Sequence, residues 1–179
     1  MADELRTQLN NVKQLLDASK GAIASRLPRH LSADRMLKVA LTSVNKTPAL
    51  LGCTKESLLQ SVMMAAELGL EPGGMLGEGY LIPYGKICQF IPGYRGLISL
   101  ARRSGQIISL EAHIVHERDK FTYELGLESK LVHIPNIDEE DLGPVKFVYA
   151  VAKLSGGGVQ FEVMSKAQVD SIRRRSKSG

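Results

Sequence analysis

Tryptophan is absent from this chain, and aromatic residues of all kinds make up 5% of it. A platform that stacks a ring against every unit of an extended ligand is therefore not available. Cysteine is nearly absent too. Cys53 and Cys88 stand in apolar surroundings and read as small core residues of a reducing compartment rather than as halves of a disulfide. No stretch approaches the roughly 20 apolar residues of a membrane span. The opening Met1-Ala2-Asp3-Glu4 is acidic and no apolar h-region follows, so no signal peptide is expected.

Chemistry-bearing clusters are scarce as well. Of the four histidines, His30, His113, His116 and His133, the pair at 113 and 116 would point to opposite faces of a strand and so would not converge on a metal. The acidic run Asp138-Glu139-Glu140-Asp141 sits within one loop. It reads as a solvated turn, because a two-metal nuclease needs carboxylates fixed on several rigid elements. No Ser/His/Asp or Cys/His arrangement can be placed. The glycines of Gly74-x-x-Gly77-x-Gly79 do not make a Walker A loop, since Gly85-Lys86 is followed by Ile87 rather than Ser or Thr. They lead into a hairpin rather than a helix, which excludes a dinucleotide fingerprint. No catalytic residue, cofactor or metal is expected.

What the chain does have is enough apolar material for one domain with a real core: 44% of 179 residues. Its net charge of +4 is unevenly spread. Residues 1–105 carry 13 Lys/Arg against 8 Asp/Glu, residues 106–144 carry 3 against 9, and residues 145–179 carry 7 against 2. A polyanion would be drawn to the first and third regions and repelled by the middle. Ordinary solvated faces also segregate charge, so the pattern alone decides nothing.

Periodicity gives the elements. Residues 3–20 form a helix whose Leu5, Leu9, Val12 and Leu16 make a narrow seam, suited either to a partner helix or to its own domain, with Gly21 as its end. Ser32 caps a second helix to about Asn45, with the stripe Met36, Leu37, Ala40, Leu41 and Val44. Thr54 caps a third over 55–68, with Leu58, Leu59, Val62, Met63 and Ala66 inward and Gly69 at its C-terminus. Strands Tyr80–Tyr84 and Ile87–Ile91 follow, joined at Gly85-Lys86, and then a helix Tyr94–Ser104. On that helix Leu97, Ile98 and Ala101 share one face, and Arg95, Ser99 and Arg102 another. Alternation predicts strands at 110–115 and 120–125, with a third short strand at 131–134. Val145–Leu154, apolar on both faces, reads as a central strand, turned by Ser155-Gly156-Gly157-Gly158 into Val159–Met164. Ser165 and Gln168 have capping-box spacing and open a last helix that runs into Arg173-Arg174-Arg175-Ser176-Lys177. The fold class is α+β: N-terminal helices, then a curved antiparallel sheet with packed helices.

The candidate site is a set of cations interleaved with rings. Arg95, Arg102 and Arg103 share one short helix, Lys86 lies in the preceding hairpin turn, and Tyr84 and Tyr94 are close in sequence. Cations for phosphates and flat rings for bases are what a single nucleic-acid strand requires. Lys146 and Lys153, with Arg173, Arg174, Arg175 and Lys177, would extend the track. Tyr84, Phe90 and Tyr94 serve equally well as core residues on sequence grounds.

Four segments, LPRHLSADRMLKVALTSVNKTPAL (27–50), the glycine-rich run 68–105, LEAHIVHERDKFTYELGLESKLVH (110–133) and residues 147–179, resemble the RecT family of phage and prophage single-strand annealing proteins, in the family's order and spacing. The resemblance implies a compact β-β-β-α-like core in a single annealing domain over 1–179, with residues 1–26 an N-terminal helix available for contact between subunits. It implies ATP-independent binding of single-stranded DNA and of the annealed duplex, self-assembly into rings or helical filaments, a phage exonuclease as partner, and the cytoplasm of a bacterial host. Mg²⁺ would act through the DNA rather than through a protein site. GYRGLISLARRSG matches the family motif, which places Arg95, Arg102 and Arg103 in a DNA groove, and YLIPYGKICQFIPGYRG places Lys86 and Gln89 beside it. Family members usually continue past the position of Gly179 with a further basic helical segment and a polar tail; a chain without them is expected to lack what that segment supplies. A plain strand-protecting module, a nuclease and a structural oligomer are the rival readings.

Overall fold

A computed structural model describes residues 2–138 and 140–175; Lys177, a sequence candidate, lies outside the described residues. Contacts gather into two compact units, residues 1–103 and 104–179.

The first unit is helical with one hairpin. Helices α1 (Ala2–Ala18), α2 (Lys20–Ala24), α3 (Ala33–Lys46) and α4 (Lys55–Leu68) precede strands β1 (Gly79–Tyr84) and β2 (Ile87–Pro92), and α5 (Tyr94–Arg103) closes it. The α1 seam packs within its own unit at its C-terminal half: Val12 and Leu16 are buried, whereas Leu5 is exposed. Gly21 does not end a helix. The chain breaks at Ser19, and Gly21 lies inside α2, where the penalty of about 1 kcal/mol for a helical glycine is outweighed by complete burial of Ile23. A 3₁₀ turn at Pro48–Gly52, not expected from the sequence, places Leu50 in the core.

The capping signals of α3 and α4 are realised. The Ser32 hydroxyl accepts from the Arg35 amide at 3.3 Å and the Thr54 hydroxyl from the Ser57 amide at 3.2 Å. Gly69 ends α4 with a φ of 61°, a conformation that suits glycine. Met36, Leu37, Ala40 and Val44 of α3 meet Leu58, Val62, Ala65 and Ala66 of α4 in one apolar cluster. Two α4 serines then fix the hairpin: Ser61 donates to the Cys88 carbonyl at 2.9 Å, and the Cys88 amide donates to the Ser57 hydroxyl at 3.0 Å. The β2 backbone is thereby satisfied by a helix rather than by a third strand. Both thiols are free, and burial raises their pKa.

The second unit holds β3 (Ile107–His116), β4 (Lys120–Glu124), β5 (Lys130–Ile134), β6 (Val145–Leu154), β7 (Val159–Ser165) and α6 (Lys166–Arg175). Strands β3, β6 and β7 form an antiparallel sheet with β6 in the centre, as its two-faced apolar pattern predicts, and β4–β5 is a separate hairpin. The architecture is α+β with antiparallel pairing throughout the named strands, shared among three small sheets. The Ser165–Gln168 capping box forms: the Ser165 amide donates to Oε1 of Gln168 at 2.8 Å, and the Gln168 amide to the Ser165 hydroxyl at 3.3 Å. On β3 the side chains that pack are His113 and Val115 rather than Ile114. Ile114 is 55% exposed, while Val115 is buried and His113 stacks on Tyr149. Among the described residues, no helix is long and apolar enough to cross a membrane.

Candidate nucleic-acid interface

The glycine-rich turn positions the candidate site by allowing its own backbone to pack closely. A Cβ at Gly96 would lie 2.0 Å from the Glu78 carbonyl oxygen, and one at Gly93 would lie 2.5 Å from that of Gly77. These contacts seat the start of α5 directly on the turn. Gly96 is the buried residue of the helix, with Leu100 half-buried against the core and Leu97 left 56% exposed. The aliphatic face read from the sequence is thus only partly used, because glycine lets the helix approach on another side.

Arg95, Ser99 and Arg102 then stand together along the outer side of α5. With Ile98 and Arg103 they line a shallow depression of about 440 Å³. Arg95 Nε donates to the Tyr94 hydroxyl at 3.0 Å, and its guanidinium carbon lies 5.7 Å from the centre of that ring. The hydrogen bond and the Tyr94 phenol raise the Arg95 pKa, so the group keeps its charge. Tyr94 itself is 69% exposed, which settles one of the sequence alternatives: it is not a core residue. Phe90, by contrast, is buried.

Adjacent arginines have different surroundings. The Arg102 side chain is exposed and makes no hydrogen bond or ion pair with the described residues. Arg103 turns inward along the surface: Nη2 donates to the Leu68 carbonyl at 2.6 Å, and Nη1 lies 3.5 Å from Nε2 of His30. Arg103 therefore caps the C-terminal carbonyls of α4, where a cation is favoured. Gly69 leaves the room for it, since a Cβ there would lie 2.7 Å from Nη1.

Lys86 is exposed at the hairpin turn, and its carbonyl accepts from the Thr54 amide at 2.8 Å. Gln89 is exposed on β2. Lys86, Gln89, Tyr94, Arg95, Arg102 and Arg103 thus belong to the first unit. Lys146, Lys153 and Arg173, Arg174 and Arg175 are exposed in the second. Lys146 is paired with Glu117 at 3.0 Å, and Lys153 stands at the other end of β6, about 23 Å away at strand rise. The three arginines end α6, where Arg173 and Arg174 help keep the Asp170 carboxylate ionised behind its closer partner Lys166.

Two buried polar assemblies escaped sequence reasoning. In the first unit, the buried carboxylate of Glu71 receives both Arg35 Nε and, at 3.0 Å, Nη2, while its amide donates to Oε2 of Glu78 at 3.1 Å. This ties the glycine-rich turn to α3. In the second, Asp119 accepts from the amides of Asn136 at 2.9 Å and His116 at 2.7 Å and lies 3.1 Å from Nε2 of His133. These bonds, led by that from Asn136, hold its pKa at about 2. The other His133 ring nitrogen lies 3.2 Å from the Tyr149 hydroxyl. Neither assembly gathers three potential metal ligands, and no such group occurs among the described residues.

The model of the RecT family matches residues 34–179. The chain belongs to the RecT family. Protein RecT of Escherichia coli (strain K12) is 48% identical over 168 residues, covering 89% of this chain and 62% of that protein. Uncharacterized protein YqaK of Bacillus subtilis (strain 168) is 43% identical over 61 residues, 34% of this chain and 22% of its own length. The chain thus spans less than two thirds of the length of either relative. The family match includes α5 with both units' basic residues, so the RecT assignment covers the candidate interface as well as the sheet.

Proposed function

We propose that this RecT-family chain binds single-stranded DNA and anneals complementary strands without ATP, in homologous recombination of the phage type. The observation that carries the reading is the composition and exposure of residues 79–103. They hold Lys86, Arg95, Arg102 and Arg103 and no acidic residue, and they present Arg95 and Arg102 along one open side of α5. Such a surface offsets the repulsion between phosphates, the dominant obstacle to bringing two strands together. Pairing is then driven by the DNA, whose stacking contributes roughly 1.4 kcal/mol per base-pair step. No bond is broken, so the scheme needs no catalytic residue or bound cofactor, and Mg²⁺ acts through the DNA. Copies of the chain line up so that their basic surfaces become continuous in a ring or filament, and a phage exonuclease supplies the single strands.

Two complementary labelled oligonucleotides, mixed with and without protein at low and moderate salt and without ATP, test this. Acceleration that fades with salt is expected. Binding without acceleration would leave a strand-protecting module, and Mg²⁺-dependent cleavage would replace the reading with a nuclease.

A further inference from the structure

The β1–β2 hairpin has two unlike faces. Leu81, Cys88 and Phe90 point into the core. The register places Tyr80 opposite Ile91, Ile82 opposite Gln89 and Tyr84 opposite Ile87 on the other side. Tyr80, Tyr84 and Ile87 are 47%, 53% and 48% exposed. The Tyr80 ring is held in place: a Cβ at Gly93 would lie 3.2 Å from its Cε2, and one at Gly77 would lie 3.1 Å from its hydroxyl. Two glycines thus make the seat of a ring whose outer side stays open. Arg95 and Tyr94 stand at the same end of the hairpin, since the Gly77 position also lies 3.8 Å from Arg95 Cδ. Lys86 stands at the opposite end, about 20 Å away at strand rise.

An outward face of tyrosine and isoleucine, bordered by cations and free of acidic residues, complements a ligand that is at once polyanionic and flat-sided. A duplex does not fit, because its base faces are buried in the stack; a single strand exposes them. We infer that the outer face of β1–β2 is a base-stacking surface for single-stranded DNA, with Tyr80 and Tyr84 each carrying a base while Lys86 and Arg95 hold phosphates at its two ends. The inference rests on the reading that the chain binds single strands, and it gives that binding a base-dependent part beside the electrostatic one. Tyr80 and Tyr84 are about 13 Å apart along the strand. They therefore act as two separate contacts rather than a continuous stack, which suits a chain so poor in aromatics.

The test compares a 20-nucleotide thymidine strand with an abasic sugar–phosphate strand of the same length. The protein should bind the thymidine strand at least 10-fold more tightly. Tyr80→Leu with Tyr84→Leu should bring the two affinities within about twofold while the salt dependence stays unchanged. Equal wild-type affinities, or a preference that survives the double substitution, would overturn the inference and leave DNA binding intact. Failure to bind either strand would instead remove the underlying reading. Loss of self-association with base preference retained would assign the face to a second copy of the chain. Ultraviolet crosslinking of the unaltered protein to a 5-bromodeoxyuridine strand gives a check that needs no variant. Adducts on Tyr80 or Tyr84 support the surface, and adducts found only elsewhere refute it.

Discussion

Among the described residues, the first unit buries a continuous cluster running from Val12 and Leu16 through α3 and α4 to Leu81 and Phe90, whereas the second buries only Val115 and Tyr149 of its apolar side chains. Ile108, Ile114, Val132, Ile134 and Val159 of the second unit remain largely exposed. The second unit relies instead on sheet hydrogen bonds and on rings packed about Phe121, which faces Phe147 at 5.5 Å and Tyr149 at 5.7 Å, with Asp119 bonded to two backbone amides and His133 alongside. Burial of apolar surface is indifferent to direction and to pH; bonds to a carboxylate are neither. The two units should therefore fail under different conditions.

The largest effect expected is from Leu16→Ala, which empties a fully buried position and should cost about 2–5 kcal/mol. Val115→Ala, at the corresponding place in the second unit, removes less and should cost about 2 kcal/mol. Urea unfolding followed by hydrogen exchange assigned to each unit would measure both. Equal costs, or slower exchange in the second unit than in the first, would break the contrast.

Acid should separate the units next. The Asp119 carboxyl titrates at about 2 in the folded chain against an ordinary 3.8, so its ionised form stabilises the fold above about pH 4. That contribution is lost as the pH falls through the folded value. Protection in the second unit should accordingly drop between pH 4 and pH 2, and Asp119→Asn should flatten the drop. Asp170, lowered by Lys166, adds a weaker trend of the same sign. In the first unit Asp34 is lowered by Lys20 on the surface, where solvent screens the pair, so that carboxylate adds little acid dependence. An unchanged exchange pattern at pH 2 would remove Asp119 from the account of the second unit.

Sequence reading succeeded at several local signals, although the expected helix stop at Gly21 failed. Ser32, Thr54 and Gly69 mark helix ends through atoms within four residues, and the Ser165–Gln168 box does the same. The central place of β6 follows from its lack of a polar face. What escaped depended on partners far along the chain. Glu71 reaches Arg35 across 36 residues and His133 reaches Tyr149 across 16, and nothing in the local pattern of either marks the meeting. Gly96 was legible only as a helical glycine, although its missing side chain decides which side of α5 is buried. On α5 the sequence pattern placed Arg95 and Arg102 on one polar face, and both side chains are exposed, but the inward turn of Arg103 required the end of α4 to be in view.

The smallest effects should come from those neighbouring arginines, where the contrast between built-in and unengaged groups recurs within the first unit. Arg103→Ala removes the hydrogen bond to Leu68 and should cost about 1 kcal/mol of stability. It should leave the salt dependence of strand binding unchanged, because a guanidinium committed to a helix end releases no counterion from a phosphate. Arg102→Ala should do the reverse. Its side chain holds nothing in place, so stability stays within measurement error, while the slope of log affinity against log salt should flatten by about one unit. Binding titrations at four or five salt concentrations, beside a urea curve for each variant, would measure both. Matching loss of slope in the two variants would make Arg103 a phosphate ligand whose tie to Leu68 breaks on binding. An unchanged slope for Arg102→Ala would move the phosphate contact to Arg95 and Lys86, at the two ends of the hairpin.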